Sequence, residues 1–290
     1  MTLPSSATPT PRGRPAPVLT HVLRAERLTP GLVRVVLGGP GLMPFVPDER
    51  ADSYVKLMFL PAGPRPLSAD GRVDIEAVKA ALPDGVAPRL RAYTVRRFDR
   101  AALELTLDVV VHGTEGLAGP WAARVRGGEE ALVVGPGGGW SPAPDVDHHL
   151  LVGDASALPA IAVALERLPA DARGWALVEV QGPEHELPLT APPGLEVRWV
   201  HASPAAPGRR LVAATLDLPW PAGRVGAFVH GEAGAVRDVR RYLRLERGLP
   251  RTDLSASGYW RVGVDDEGWR STKREWTTAI EQQEQAAGLP

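Results

Sequence analysis

The 290-residue chain contains no cysteine. That excludes disulfides, thiolate metal sites and a cysteine nucleophile. A reducing cytoplasm is compatible with it, and the cytoplasm is the expected location. No apolar run approaches the ~20 residues that a membrane-spanning helix needs. The N-terminus carries Pro4, Pro9, Pro11, Pro15 and Pro17 with Arg12 and Arg14 but no apolar stretch, so residues 1–17 are expected to be a disordered tail and not a signal peptide. An excess of one charge is missing as well: 33 basic residues face 34 acidic ones, for a net charge of −1. No global field draws nucleic acid or a membrane surface, and neither is expected as a partner. Histidine is scarce, at 7 residues, and no protein-bound metal is expected.

What is present is an ordinary globular composition, 44% hydrophobic and 23% charged, able to bury real cores. The length points to two domains. Glycine (31) and proline (30) make the chain loop-rich without reaching the roughly 25–30% of low-complexity disorder.

The hydrophobic period changes partway along. Before about residue 147 it is mostly that of strands, with short apolar or β-branched runs at 18–27, 32–37, 54–60, 90–97, 103–112 and 131–135 and a short helix at 117–125. Closely spaced strands punctuated by Gly, Pro and Asp predict a small antiparallel six-stranded barrel. After His148, strand-like runs at 149–152, 175–180, 195–200, 225–230 and 252–257 alternate with helical patterns at 155–168 and 232–247. That alternation predicts a doubly wound parallel sheet. An amphipathic helix at 265–287 closes the chain, with Trp269, Trp276 and Ile280 as core contacts. The expected division is a tail (1–17), a barrel domain (18–146) and an α/β domain (147–290), with the boundary in the Pro/Asp/His stretch 141–149.

Three constellations carry chemistry. In Arg91-Ala92-Tyr93-Thr94-Val95-Arg96, strand alternation sets Arg91, Tyr93 and Val95 on one face and Thr94 and Arg96 on the other. An aromatic ring, a hydroxyl and a guanidinium are the parts of a flavin site: ring cover, a bond to the reactive nitrogen and neutralisation of a pyrophosphate. Alone, the segment is an ordinary strand with exposed arginines. The second runs from Val109 through Val111, His112 and Gly113 to Gly116-Leu117-Ala118-Gly119-Pro120-Trp121, a glycine bend opening a short helix whose amides suit a pyrophosphate. The third, Gly153-Asp154-Ala155-Ser156-Ala157-Leu158-Pro159-Ala160-Ile161, sits where a strand ends and a helix begins, and it is not a GxGxxG fingerprint.

In this order the segments resemble the siderophore-interacting proteins, flavin-dependent ferric-siderophore reductases of the ferredoxin-reductase superfamily. The family's RxYT strand matches Arg91, Tyr93 and Thr94, and its strand ending in His-Gly matches Val109 to Gly113. Its GPASxW-like loop is similar to 116–121 and its GDETALPAI segment to 153–161. Its Gly-Glu matches Gly231-Glu232, and its GYWR matches Gly258-Tyr259-Trp260-Arg261. Three departures stand out. Gly119 replaces the usual Ser, Asp154-Ala155-Ser156 replaces Asp-Glu-Thr, and the 135–140 glycine run lacks the Arg or Lys often seen there.

The resemblance implies an FAD-binding barrel followed by a nicotinamide-binding sheet. It implies FAD as cofactor, NADH or NADPH as electron donor with a ferredoxin possible, and a ferric siderophore as substrate. FAD contacts fall on Arg91, Ala92, Tyr93, Thr94, Val109, Val111, His112, Gly116, Leu117, Ala118, Gly119 and Ser156, with Tyr93 and Thr94 forming the reactive environment. The nicotinamide falls on Gly153, Asp154, Gly231 and Glu232. An anionic chelate calls for a basic rim, for which Lys56, Arg124 and Arg237 are the candidates. Arg237, Arg241 and Arg244 share a helix face by 3.6-residue spacing; that face serves substrate, a nicotinamide 2′-phosphate or only solvent. Tyr259 and Trp260 either cover the flavin or pack the terminal helix, and packing is the preferred reading. The alternatives are a general NAD(P)H–flavin oxidoreductase with another acceptor, and a siderophore-binding module without turnover.

Overall fold

The computed structural model describes residues 16–45, 50–61, 63, 66, 68 and 73–289; Pro4, Pro9, Pro11, Arg12, Arg14 and Pro15 of the expected tail lie outside the described residues. Six strands, β1 (Val18–Thr29), β2 (Leu32–Gly38), β3 (Tyr54–Phe59), β4 (Arg89–Asp99), β5 (Glu104–Val110) and β6 (Glu130–Gly137), close an antiparallel barrel in the order β1-β2-β5-β4-β3-β6. Alternate residues fill it: Val33, Val35 and Leu37 from β2, Val55 and Leu57 from β3, Leu105, Leu107 and Val109 from β5. This is the period-two pattern of a strand with one face in a core. Two short helices join the strands, α1 (Ile75–Ala80) and α2 (Ala118–Arg124). Sequence periodicity does not reveal α1, because six residues make under two turns; its start is fixed by the Asp74 carboxylate, which accepts from the Ala77 amide at 3.0 Å.

The parallel sheet comprises β7 (His148–Asp154), β8 (Arg173–Val180), β9 (Gly194–His201), β10 (Val225–Glu232) and β11 (Leu254–Trp260), in the order β11-β10-β7-β8-β9. Helix α3 (Leu158–Arg167) packs on Leu151, Ala176, Val178 and Phe228 of one face. Helices α4 (Arg209–Leu216) and α5 (Ala233–Arg241) pack on Leu150, Val152, Leu177, Ala227 and Val229 of the other. Covering both faces is why Leu150, Leu151 and Val152 are all buried in a continuous apolar run. The sequence reading passes over α4, a helix of only eight residues.

The final helix, α6 (Asp266–Ala286), begins at the Asp265 cap, whose side chain accepts from the Gly268 amide at 2.8 Å. Trp269 and Ile280 are buried as expected, and Trp276 meets Trp269 edge to face at 5.4 Å. The expected arginine face on α5 is corrected. Beyond Arg241 the helix widens into a π-turn, Tyr242–Glu246, which rotates later residues out of the 3.6-residue register. Arg237 and Arg241 are exposed, whereas Arg244 is 2% exposed. It turns inward with Arg240 onto Glu284 of α6: Arg240 donates to both carboxylate oxygens at 2.5 and 2.9 Å, Arg244 donates at 3.5 Å, and Arg244 also donates to the Leu249 carbonyl at 2.5 Å. Burial works against the Glu284 charge, and the hydrogen bonds and charges of the two arginines outweigh it, holding its carboxyl below the usual range.

Truncating Glu284 removes the carboxylate that two buried guanidinium groups share. Glu284→Ala is expected to destabilise the protein by about 3–5 kcal/mol, read as a lowered urea midpoint.

Candidate functional site

Strands β7 and β10 are neighbours, and the chain leaves them toward opposite edges of the sheet. A crevice at the carboxyl ends of such strands is where open α/β sheets bind ligands. The structure brings Gly153, Asp154, Gly231 and Glu232 together there, with Gly153 registered against His230. Asp154 is 7% exposed and fully engaged. One oxygen accepts from the Ser156 amide (2.9 Å) and hydroxyl (2.5 Å), the other from the Glu232 amide and the Trp260 indole, both at 2.8 Å. Glu232 caps α5 by accepting from the Ala235 amide at 2.9 Å and also takes the Val262 amide at 3.3 Å. Both carboxylates therefore frame the crevice. The Ser156 hydroxyl is likewise turned onto Asp154. Gly231 has φ +139°, and a Cβ there would lie 2.6 Å from an Asp154 oxygen, so only glycine fits.

On the barrel, β3 and β4 pair with Tyr54 opposite Thr94, Val55 opposite Tyr93, Lys56 opposite Ala92 and Leu57 opposite Arg91. The expected alternation holds through Val95, which packs in the barrel core. A bulge between Val95 and Arg97 then resets it, and Arg96 reaches sideways to Glu166 of α3. Burial raises the Tyr93 phenol above its ordinary range. The Val109 side chain is buried in the barrel core, while Val111 packs at the edge of that core. His112 is exposed at the strand end. Gly113 (φ +54°) and Gly116 (φ +86°) open the next bend, and a Cβ built at either meets nothing within 4 Å. Helix α2 follows without a side-chain cap, leaving its first amides unpaired within the helix. A Cβ at Gly119 would lie 3.3 Å from the Val110 carbonyl, a tight fit for the family's usual Ser.

Sequence reasoning missed what Arg91 touches. Its Nη1 donates to Glu267 at 2.6 Å, to Asp266 at 2.9 Å and to the Leu90 carbonyl at 3.0 Å, and its Nη2 donates to Glu267 at 2.9 Å. The only available signal was the acidic triplet Asp265-Asp266-Glu267 that opens α6. Lys56, with its ammonium 5.9 Å from the Tyr54 ring centroid, shares the strand pair with residues 91–94. Arg124 stands exposed at the end of α2 and Arg237 exposed on α5 beside Asp238, so the three basic candidates occupy three separate elements.

A second missed feature is an aromatic column on the α3 face of the sheet. Trp140 lies 4.5 Å from Phe228, Phe228 stacks on His230 at 3.8 Å, and Tyr259 meets His230 edge-on at 5.0 Å. This is the packing role expected of Tyr259. His230 Nε2 lies 2.9 Å from the Ser255 hydroxyl, and Nδ1 is buried without a partner among the described residues. Burial, reinforced by the Lys273 charge, pushes the imidazole pKa down to about 3.

A closed antiparallel barrel followed by a doubly wound parallel sheet, with a crevice at the switch point, defines the ferredoxin-reductase-like class. The FAD/NAD-binding domain of a Vibrio cholerae nitric oxide dioxygenase shares the fold at 14% identity (TM-score 0.59, covering 86% of this chain and all of that one). Within the class, residues 21–140 match the siderophore-interacting FAD-binding domain and residues 146–263 the siderophore-interacting protein model. An uncharacterized protein of Mycobacterium tuberculosis is 44% identical over 92% of this chain and 98% of its own. The ferric vibriobactin reductase ViuB of Vibrio cholerae is 32% identical over 89% of this chain and 94% of its own. The crystal structure of the siderophore-interacting protein SipS of Aeromonas hydrophila has 31% identity and a TM-score of 0.77, covering 91% of this chain and 99% of that one. The chain belongs to the siderophore-interacting protein family.

The lowered His230 pKa has a stability consequence. An unfolded histidine titrates near pH 6.5, so the unfolded chain binds the proton first as pH falls. The stability associated with neutral His230 is present above about pH 6.5 and is lost at about 1.4 kcal/mol per unit toward the folded value. Urea midpoints measured at pH 7 and pH 4.5 should fall more steeply in the wild type than in His230→Asn.

Proposed function

We propose that the chain is a cytoplasmic FAD-dependent reductase of ferric siderophores, drawing electrons from NADH or NADPH, with a ferredoxin as the other possible donor. Residues 18–146 form the FAD-binding unit and residues 147–290 the nucleotide-binding unit. The carrying observation is that one stretch, 260–267, touches both halves of the site: Trp260 donates to Asp154 at the switch point, and Glu267 holds Arg91 on β4. A cofactor on the barrel strand and a donor in the crevice would thus meet across one seam.

The residues fit FAD. Gly113 and Gly116 leave open space at the bend, and among the described residues the first amides of α2 lack a side-chain cap and one guanidinium edge of Arg91 is unpaired. When bound, FAD accepts two electrons as hydride and releases them one at a time. Arg91 and the amides of Gly116, Leu117, Ala118 and Gly119 hold the diphosphate. Tyr93, whose ring packs against the barrel core, and Thr94, with its hydroxyl, would form the environment of the flavin ring. Ala92, Val109, Val111 and His112 contribute backbone and edge contacts, and Ser156 acts through the Asp154 frame. Gly153, Asp154, Gly231 and Glu232 shape the nicotinamide crevice.

Support for the acceptor comes from the relatives, among them a protein named as a ferric vibriobactin reductase. Hard oxygen ligands hold iron(III) far better than iron(II), so one electron loosens the chelate without breaking the ligand. Lys56, Arg124 and Arg237 supply positive charge for an anionic chelate. No general base or nucleophile is required.

Purified protein reconstituted with FAD should be yellow, be bleached by NADH, NADPH or a reduced ferredoxin, and pass electrons to a ferric siderophore in the presence of an iron(II) trap. A protein that binds no flavin, or that ignores every ferric chelate, overturns the assignment. Lys56→Ala should lower kcat/KM for an anionic ferric chelate about tenfold and for an uncharged dye by a smaller factor.

A further inference from the structure

We propose that Glu267, assisted by Asp266, is a positioning residue for Arg91: the start of α6 orients the guanidinium that receives the FAD diphosphate. This rests on the FAD reading above and adds the C-terminal helix to the cofactor site.

A guanidinium offers two edges for bidentate bonding, the Nη1/Nη2 end and the Nε/Nη2 side. Glu267 occupies the end edge with both carboxylate oxygens, at 2.6 and 2.9 Å. Asp266 and the Leu90 carbonyl take the rest of Nη1. Among the described residues Nε has no partner, so the side edge remains for a ligand. The Arg91 side chain is only 14% exposed, against 41% for Glu267, so the carboxylate approaches from the solvent side and fixes a long side chain that would otherwise sample several rotamers. An arginine locked beforehand binds an anion without an ordering cost at that moment.

The helix start that carries the carboxylates is itself held in place. Asp265 caps the helix, Trp269 one turn in is 2% exposed, and Arg270 donates to the Leu90 carbonyl at 2.9 Å beside Arg91. A site residue braced by a rigid element keeps its geometry better than one on a loop. The rival view is that two carboxylates compete with the diphosphate for one guanidinium, and it predicts the opposite sign.

The test is FAD affinity of the apo-protein, measured by quenching of flavin fluorescence, with riboflavin as the ligand that lacks the diphosphate. Thermal midpoints are recorded for each variant. Arg91→Ala should weaken FAD about a hundredfold and Glu267→Ala about tenfold, with Glu267→Gln intermediate between wild type and Glu267→Ala. The Arg91→Ala/Glu267→Ala double variant should be no weaker than Arg91→Ala alone, because Glu267 acts through Arg91. Riboflavin affinity should be unchanged throughout. Arg91→Lys replaces Arg91→Ala should the latter fail to fold. Unchanged or tighter FAD binding in Glu267→Ala, additive losses in the double variant, or equal losses for riboflavin would overturn the positioning role. An Arg91→Ala protein that binds FAD as the wild type does would instead overturn the reading of Arg91 as a diphosphate ligand.

Discussion

The Asp154 carboxylate governs the carboxyl edge of the sheet. It is buried and accepts four hydrogen bonds, from the Ser156 amide and hydroxyl, the Glu232 amide and the Trp260 indole. Burying an unsolvated carboxylate is costly, and donors of this number and direction are what make the position tolerable. In return three segments are fixed against one another: the turn after β7, the end of β10 and the end of β11. The close approach this demands explains Gly231, where a Cβ would collide with the carboxylate. The crevice therefore owes its shape to a charge that is itself fully occupied.

Helix α6 carries that order across to the barrel. Its start pairs with Arg91 and Leu90 on β4, its middle sets Lys273 2.9 Å from the Ser257 hydroxyl of β11, and its end places Glu284 between Arg240 and Arg244. The two ends differ in kind. Glu284 is buried with both partners, so its loss leaves uncompensated charge in a low-dielectric interior. Glu267 is partly exposed, and its attraction for Arg91 is screened by water; its value lies in geometry more than in stability.

Much of this was legible in the sequence. Period-two runs such as Val33-Val35-Leu37 mark a barrel strand, and the unbroken Leu150-Leu151-Val152 run marks a strand covered on both faces. The switch-point residues follow once the βα alternation is read. What stayed hidden is non-local. Arg91 and Asp266 are 175 positions apart, Asp154 and Trp260 106 apart, and no periodicity links such pairs. Arg244 looked solvent-facing because a 3.6-residue spacing was assumed, whereas the π-turn at 242–246 rotates it inward. Val109 lies on its expected strand with its side chain in the barrel core.

The electrostatics of the seam bear on the proposed chemistry. Asp154 and Glu232 are committed to amides, His230 is held neutral by burial and by Lys273, and burial raises the Tyr93 and Tyr259 phenols. A site that ran on general acid–base catalysis would need a group poised near neutral pH and reachable by substrate. The groups named here are displaced from that range or locked in hydrogen bonds. Electron transfer through a bound flavin asks for something different: a rigid, apolar-lined seam and fixed donors for an anionic cofactor tail. The stretch from Trp260 to Glu267 supplies such fixed contacts on both sides, the Trp260 indole on Asp154 and the Glu267 carboxylate on Arg91.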